Sequence, residues 1–517
     1  MSQYKDLFIS YGRRESLGFV ARLHRELKLA GYDVWFDKVN IPDGEDYAER
    51  IRHGIESAHN FVYVMAPRAL CSPYCLIELE YARVLGKRVI PINQMMQLQI
   101  EDRPLSEGDR QILRNFYAEH GVEDPKLLTT KQVQNHSLAV VGRTDWLDGK
   151  EVLSNEDCGQ LSSWAQSYEN QWHRHEDTDY LEDITLPVFG ENKDSLESVL
   201  ERTRLVLERH KTYVEQHTYL LSETLDWVKH QYANHYLLVG KERQAAQDWL
   251  LTSFTGGEQA PCEPSKQVCD FICESRKNSE NRMTDCFVCY APEDEPVSDA
   301  VVLELSRHAI TSWRRDIDID KGEQYADAVT RGIEAADNIL FFISPHAIAS
   351  PHCQRELQHA LTYQNRVIPI LIQATPEADM PEDLRALQYI DFTRQYDITS
   401  VLNSLQQDRE YYAQHKVLLA RALKWHTEQQ KSSFLLRGYN LENAKTWLRL
   451  NRDNPQHPPT SLHQTFIDAS EANKGQLGTD VFISYSRKDG DFARKLNMAL
   501  QEAGKTTWFD QESIAVG

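Results

Sequence analysis

The hexapeptide DLFISY at Asp6–Tyr11 recurs as DCFVCY at Asp285–Tyr290 and as DVFISY at Asp480–Tyr485. Each copy is a short and mostly apolar run, which is typical of a strand buried in the interior of a domain. Because the same strand opens three segments of the chain, we expect three units of related fold.

The features that follow the hexapeptide also repeat. In the first unit an amphipathic pattern from Phe19 to Leu29 predicts a helix, a short strand carries Trp35, and further apolar runs lie at Phe61–Val64 and Val89–Ile92. The second unit has these features in the same order. Short apolar strands that alternate with amphipathic helices are typical of a parallel sheet covered on both faces. The sequence therefore predicts repeated α/β domains.

An octapeptide with a buried-face glutamate is the second repeated element. SPYCLIEL at Ser72–Leu79 recurs as SPHCQREL at Ser350–Leu357. The serine and the proline are predicted to be the N-cap and the first residue of a helix. Helical spacing then places Glu78 and Glu356 on the apolar face, where a carboxylate is costly unless it is paired or faces a polar pocket. A structural ion pair and a pocket both remain open, and the recurrence favours a pocket.

These segments resemble the Toll/interleukin-receptor (TIR) domain family, whose FISY strand, aromatic strand with a glycine loop and SxxCxxEL helix occur here in order. The resemblance covers about 100 residues in each of the first two units, and the third stops at Gly517 before any glutamate helix. It implies a flavodoxin-like fold, with a parallel five-stranded sheet, helices on both faces and a ligand crevice at the carboxyl ends of the strands. We therefore expect a fragment of a bacterial tandem-TIR multidomain protein with helical connectors.

The repeats also suggest where the domains begin and end. Between the TIR-like units lies a second repeated pattern of His, Trp and Leu, which begins at His217 in one copy and at His415 in the other and predicts helical spacers. A polar segment in the first unit is expected to be a partly ordered surface excursion. The expected division is TIR domain 1 at 1–195 with the insertion at about 94–179, spacer 1 at 196–278, TIR domain 2 at 279–400, spacer 2 at 401–475 and the start of a truncated TIR domain 3 at 476–517.

Composition limits the classes of partner. The chain has 517 residues and a net charge of −21, which argues against binding to nucleic acid or to an anionic membrane surface. No run of residues resembles a membrane span, and the N-terminus enters a strand without a signal-peptide pattern. We therefore expect a cytoplasmic location.

We expect no metal site. Cys286 and Cys289 form a CxxC motif, but residues three apart on a strand point to opposite faces of the sheet. His173 and His175 lie in the polar insertion without further ligands nearby in the sequence.

The resemblance also implies a catalytic role for the glutamates of the two octapeptides. In several TIR families the equivalent residue is the catalytic acid of NAD+ cleavage, which makes Glu78 and Glu356 the candidate catalytic residues. Nicotinamide leaves as a neutral group while positive charge develops on the ribose, as in the oxocarbenium-like states of glycosidases. A carboxylate in a dry crevice stabilises such a charge. NAD+ is then the substrate, and no further cofactor is expected.

Several residues of the first unit are candidates for binding the dinucleotide. The arginines that follow the first strand could neutralise the phosphates of the dinucleotide, with a surface cation as the alternative. The aromatic pair before the glycine loop could stack on a base or a ring, although an aromatic residue at a strand end more often belongs to the core. The full set is Ser10, Tyr11, Arg13, Arg14, Trp35, Phe36, Gly44, Ser72 and Cys75.

The second unit departs from this pattern on both sides of the expected pocket. Pro292-Glu293 replaces the arginine pair, and Arg314-Arg315 replaces Phe36-Asp37, so catalysis by Glu356 is in doubt. Two functional classes remain open. One is an NAD+ hydrolase or cyclase in bacterial immune or stress signalling, and the other is a non-catalytic adaptor. In both, TIR units are expected to associate with one another, and other TIR proteins are potential partners.

Overall fold

The computed structural model describes residues 4–36, 47–94, 101–142, 147–148, 193–254, 259–314, 318–319, 324–453, 458–474 and 479–513. The chain divides into two compact units. Unit 1 comprises Met1–Leu225 with Ser253–Ser265, and unit 2 comprises Asp226–Thr252 with Lys266–Gly517.

Unit 1 alternates strands and helices as the sequence predicts. Its elements are β1 (Lys5–Ser10), α1 (Arg13–Leu29), β2 (Val34–Trp35), α2 (Tyr47–Ser57), β3 (Ala58–Met65), α3 (Pro67–Leu70), α4 (Pro73–Val84), β4 (Arg88–Asn93), α5 (Glu107–His120), α6 (Thr130–Val141), β5 (Leu147–Asp148), α7 (Lys193–Glu208) and the greater part of α8 (Lys211–Lys229).

The five strands of unit 1 form a parallel sheet in the order β2-β1-β3-β4-β5. Side chains of β1 alternate between its faces: Leu7 and Ile9 join a core cluster with the apolar side of α1, while Phe8 stacks on Trp35 on the other face. This is the flavodoxin-like topology that the sequence predicted, and it brings the carboxyl end of β1 beside β3 at the middle of one sheet edge.

Part of the segment predicted as a polar insertion is helical. Helices α5 and α6 lie within it, and their Phe116 and Val133 side chains are buried. Phe116 makes an edge contact with Tyr81 of α4, with 6.5 Å between the ring centroids. Residues 101–142 therefore help to cover α4, although the sequence had led us to expect a surface excursion.

After its first helices, unit 2 alternates strands and helices in nearly the same order as unit 1. It contains α9 (Gly240–Leu250), α10 (Lys266–Ser279), β6 (Thr284–Cys289), α11 (Glu295–Arg307), β7 (Ser312–Trp313), α12 (Tyr325–Glu334), β8 (Ala336–Ile343), α13 (Pro345–Ala349), α14 (Pro351–Thr362), β9 (Arg366–Leu371), α15 (Glu382–Arg385), β10 (Ile390–Asp391), α16 (Ile398–Gln406), α17 (Arg409–Thr427), α18 (Gly438–Asn451), α19 (Ser461–Ala472), β11 (Val481–Phe482), α20 (Gly490–Glu502), β12 (Thr507–Trp508) and α21 (Asp510–Ser513). Short 3-10 turns lie at Asn234–Tyr236, Pro292–Asp294, Glu377–Asp379, Ser432–Phe434 and Arg487–Asp489.

The five-stranded sheet of unit 2 has the order β7-β6-β8-β9-β10 and is parallel throughout. Cys286 and Val288 of β6 join one core cluster, whereas Phe287 and Cys289 join another on the opposite face. The prediction that Cys286 and Cys289 point to opposite faces is confirmed. A separate parallel pair, β11 and β12, belongs to the third TIR-like segment.

The helices between the TIR-like segments pack through tryptophans. Trp425 and Trp447 share an apolar cluster with Phe466 of α19, which is the packing face that the repeated sequence pattern suggests. Among the described residues, no helix combines the length and the apolar character that a membrane span requires.

Candidate functional site

Helix α4 begins as the sequence predicts. Ser72 is its N-cap, with the side-chain oxygen accepting a hydrogen bond of 3.3 Å from the backbone N–H of Cys75. Pro73 occupies the first helical position, where its missing N–H has no cost. These two residues fix the register of the helix, so that Cys75 and Leu79 face the interior and Glu78 lies half-buried on the same side.

The structure brings Glu78 to the end of β1. The hydroxyl of Ser10, the last residue of that strand, donates a hydrogen bond of 2.6 Å to Oε2 of Glu78. Ser10 itself is buried, and the side chain of Cys75 lies 3.6 Å from the backbone oxygen of Tyr11. Four residues from the candidate set, Ser10, Tyr11, Cys75 and Glu78, are thus contiguous at the carboxyl end of β1.

The aromatic candidates lie in the core. Trp35 is only 6% exposed and stacks on Phe8, with 4.3 Å between the ring centroids. A β-carbon added at Gly54 would lie 2.6 Å from the indole, so Gly54 of α2 is also closely packed against the ring. Phe36 is fully buried and touches Tyr11 and His24. These contacts account for both rings without a bound ligand.

The structure describes the remaining candidate binding residues only in part. Arg13 is the first residue of α1 and its side chain is exposed. Arg14 belongs to the same helix, but its side chain lies outside the described residues, as does the whole of Gly44. His173 and His175 also fall outside the described part of the chain.

A second carboxylate on α4 escaped the sequence analysis. Glu80 is 1% exposed and pairs with Nε2 of His136 at 2.8 Å and with Nε of Arg83 at 2.6 Å. Burial alone would raise the pKa of Glu80, but the hydrogen bonds and charges of His136 and Arg83 more than offset it, and the pKa is lowered. Glu80 is therefore an ion-paired carboxylate that ties α6 to α4.

Glu15 is a third carboxylate near this edge of the sheet. It accepts a hydrogen bond from the backbone N–H of Arg68 at the start of α3, a helix-capping role. Burial raises the pKa of Glu15, and hydrogen bonds from the backbone of Arg68 and Ala69 only partly oppose that rise. Because Glu15 accepts this backbone hydrogen bond, we infer that it holds α3 in place.

The equivalent position in unit 2 has a different environment. Ser350 caps α14 as predicted and accepts a hydrogen bond of 3.4 Å from the N–H of Cys353. Glu356 is more deeply buried than Glu78, with 6% of its surface exposed. Cys289 stands where unit 1 has Ser10, and the ligand atoms of Cys289, Cys353 and Glu356 lie within 4.8 Å of one another. The sequence excluded Cys286 as a neighbour of Cys289, and the fold shows that its neighbour is Cys353.

The arginine that replaces Phe36 in unit 2 forms an ion pair within that unit. Arg314, which takes the place of Phe36, forms an ion pair of 2.5 Å with Asp270 of α10. Both side chains are mostly buried. Arg315 lies outside the described residues, while Pro292 and Glu293 are exposed. The guanidinium of Arg314 is thus directed towards α10.

Comparison with known proteins gives a consistent family. A family model described as TIR domain matches residues 7–121, 286–405 and 481–517, which together form more than half of the chain. The crystal structure of the TIR domain of the Toll-related receptor TRR-2 from Hydra magnipapillata is 25% identical with a TM-score of 0.22, and the match covers 24% of this chain and 100% of that one. A metazoan TIR-STING receptor from C. gigas is 17% identical with a TM-score of 0.22, over 32% of this chain and 52% of that chain. The part matched is thus about half of that receptor.

Proposed function

Because the chain belongs to the TIR domain family, we propose that its first TIR domain cleaves the bond between nicotinamide and ribose in NAD+, as the catalytic part of a signalling protein. The family supports the role in signal transduction. The cleavage itself is our proposal, and Glu78 is its catalytic residue.

One observation carries this proposal: the hydrogen bond from the Ser10 hydroxyl to the Glu78 carboxylate at the carboxyl end of β1. Ligands of doubly wound sheets bind at that edge. The short contact holds a carboxylate in a fixed orientation, and a preorganised charge needs no rearrangement during the reaction. Glu78 also keeps part of its surface exposed, as a group that meets a substrate must.

The reaction requires few other groups from the protein. When the glycosidic bond breaks, its electron pair goes to the nicotinamide nitrogen, whose positive charge is thereby neutralised, and the ribose becomes an oxocarbenium-like cation. The carboxylate of Glu78 stabilises that cation. Attack by water and loss of a proton to solvent complete a hydrolysis, while attack by a group of the same dinucleotide gives a cyclic product. Exposed Arg13 is suited to meet the phosphates. Nicotinamide release from NAD+ by the purified chain tests the activity.

Ser10→Ala should lower kcat by about tenfold. Without the hydrogen bond from Ser10 the carboxylate of Glu78 is less well oriented, and loss of one hydrogen bond to a charged group costs roughly 1.5 kcal/mol of transition-state stabilisation. Ser10 acts here as a positioning residue. The KM for NAD+ should change much less than kcat, and Ser10→Thr, which keeps the hydroxyl, should recover most of the rate. A rise in KM that accompanies the fall in kcat, without rescue by Ser10→Thr, would indicate a purely structural role.

Glu356→Ala should change the rate of nicotinamide release by less than about threefold, whereas Glu78→Ala should lower it by about a hundredfold. The reason is that Glu356 is closed in beside two thiols, and a substrate cannot reach a carboxylate so enclosed. The two variants are matched, since each removes the same side chain from the same helical position. Equal losses in the two would show that both domains are active.

The burial of Glu356 in unit 2 also favours a second candidate function for that part of the chain. A TIR domain that does not turn over NAD+ acts as a scaffold, associating with other TIR units of the same or of another protein. We propose this role for TIR domain 2 only. Sedimentation of the chain over a range of concentrations measures its self-association, and a monomer at every concentration would contradict a scaffold built from copies of this chain.

A further inference from the structure

A buried group of two thiols and one carboxylate lies in the second TIR domain. Cys289 ends β6, and Cys353 and Glu356 lie one turn apart on α14. One ligand atom from each residue lies within 4.8 Å of the other two, and all three side chains are buried. Such a mixed set of donors differs from the usual isolated cysteine of a protein core.

The fold assembles this group for local reasons. The alternation of β6 turns Cys289 towards the face that α14 covers. The cap formed by Ser350 sets the register of α14, and the spacing of three residues puts Cys353 and Glu356 on one side of that helix. The sulfur of Cys289 lies 3.9 Å from the backbone oxygen of Cys353.

Unit 1 provides an internal comparison. Its corresponding residues are Ser10, Cys75 and Glu78, and the serine hydroxyl hydrogen-bonds the carboxylate. In unit 2 the serine is replaced by Cys289, and a thiol is a far weaker hydrogen-bond donor than a hydroxyl. The replacement thus sets a thiol beside a buried carboxylate, with a second thiol in reach.

We propose that the second TIR domain binds one thiophilic divalent cation, Zn²⁺ above all, through the sulfurs of Cys289 and Cys353 and a carboxylate oxygen of Glu356. Zinc takes sulfur at about 2.3 Å and oxygen at about 2.0 Å, so two sulfurs on one ion are roughly 3.8 Å apart. The ligand atoms already lie within 4.8 Å of one another, so the two sulfurs would have to approach by at most about 1 Å to bind one zinc ion.

The donor set also selects the metal. Thiolates favour zinc and related soft cations over Mg²⁺ and Ca²⁺, which prefer oxygen ligands. Each thiol releases its proton to solvent on binding, so that two thiolates and one carboxylate surround a doubly charged ion. The fourth position of the tetrahedron is left for a water molecule. Bound metal fixes β6 to α14, which stabilises the domain as a scaffold.

The test uses the full chain freed of metal and titrated with Co²⁺, a spectroscopic substitute for zinc. One equivalent of Co²⁺ should produce the near-ultraviolet absorption of thiolate-to-cobalt charge transfer, and one equivalent of Zn²⁺ should abolish it. Cys289→Ser, which installs the residue that unit 1 has at this position, should lose the band. Cys286→Ala, on the opposite face of β6, should keep it.

Glu356→Gln provides a second variant that preserves the size of the side chain. It should retain both thiolates and the charge-transfer band but weaken Zn²⁺ binding by about tenfold or more. Circular dichroism shows whether each variant is folded. A band that survives in Cys289→Ser, or that is lost in Cys286→Ala, would overturn the assignment. Zn²⁺ affinity unchanged by Glu356→Gln, or a Cys289–Cys353 disulfide in place of metal uptake, would overturn it as well.

Discussion

Glu78→Gln is expected to lower the rate of nicotinamide release by about a hundredfold while the protein stays folded. The amide has nearly the same volume as the carboxylate, and its oxygen still accepts the hydrogen bond that Ser10 donates. What the substitution removes is the negative charge. The loss should therefore appear in kcat, with the KM for NAD+ changed little, because the charge acts on a cation that exists only in the transition state.

The control for this variant is Glu123→Gln, which makes the same chemical change at an exposed position after α5. It should turn over NAD+ like the wild type. Circular dichroism and thermal unfolding should be indistinguishable among the three proteins. Unchanged turnover of NAD+ in Glu78→Gln would rule out Glu78 as the catalytic residue. An equal loss of turnover in Glu123→Gln would show that the net charge of the protein, and not the position of the carboxylate, causes the loss.

The elements of the fold could be predicted because they depend on local sequence. Ser72 and Pro73 specify the start of a helix wherever they precede a helical pattern, and both copies of that signal form the expected cap. The strand at Asp6–Tyr11 is short and apolar because a doubly covered strand must be. The position of Glu78 near the end of β1 follows from these two facts and from the topology of parallel sheets.

The site itself depends on contacts between residues far apart in the chain, which no local pattern specifies. Glu80 is buried because His136, 56 residues away, lies against it. The position of Trp35 before the glycine loop suited either a ligand-stacking residue or a core residue, and its contacts with Phe8 and Gly54 show that it belongs to the core. The alternation of β6 separated Cys289 from Cys286, but only the tertiary structure shows that α14 supplies its neighbours.

The helices of spacer 2 are expected to lose stability between about pH 6.5 and pH 4, because two neutral histidines are buried there. His463 uses both ring nitrogens: Nδ1 accepts a hydrogen bond of 3.2 Å from the N–H of Thr460, and Nε2 donates one of 3.2 Å to the backbone oxygen of His415. A proton added at Nδ1 would oppose the N–H of Thr460, so this contact favours a neutral imidazole.

The pKa values of the two histidines also predict a loss of stability at low pH. Burial lowers the pKa of His463 to about 4, and burial with the charge of His463 lowers that of His415 to about 3. The unfolded chain, with histidine pKa values of about 6.5, therefore binds more protons than the folded one in this range. Stability must then fall as the pH falls, by about 2 kcal/mol for each histidine between about pH 7 and pH 5.

Hydrogen exchange measured by mass spectrometry tests this in the peptide that covers Ser461–Ala472, after correction for the pH dependence of intrinsic exchange. Because exchange reports local opening, it does not require the multidomain chain to unfold in one step. Protection in the wild type should fall more than tenfold between about pH 7 and pH 5. The fall should be markedly smaller in His463→Gln, which has no titrating ring there, and unchanged in His426→Gln, whose histidine is exposed on α17. If His463→Gln loses protection as steeply as the wild type, His463 is not the group that titrates, and the acid sensitivity of the spacer must arise from another residue.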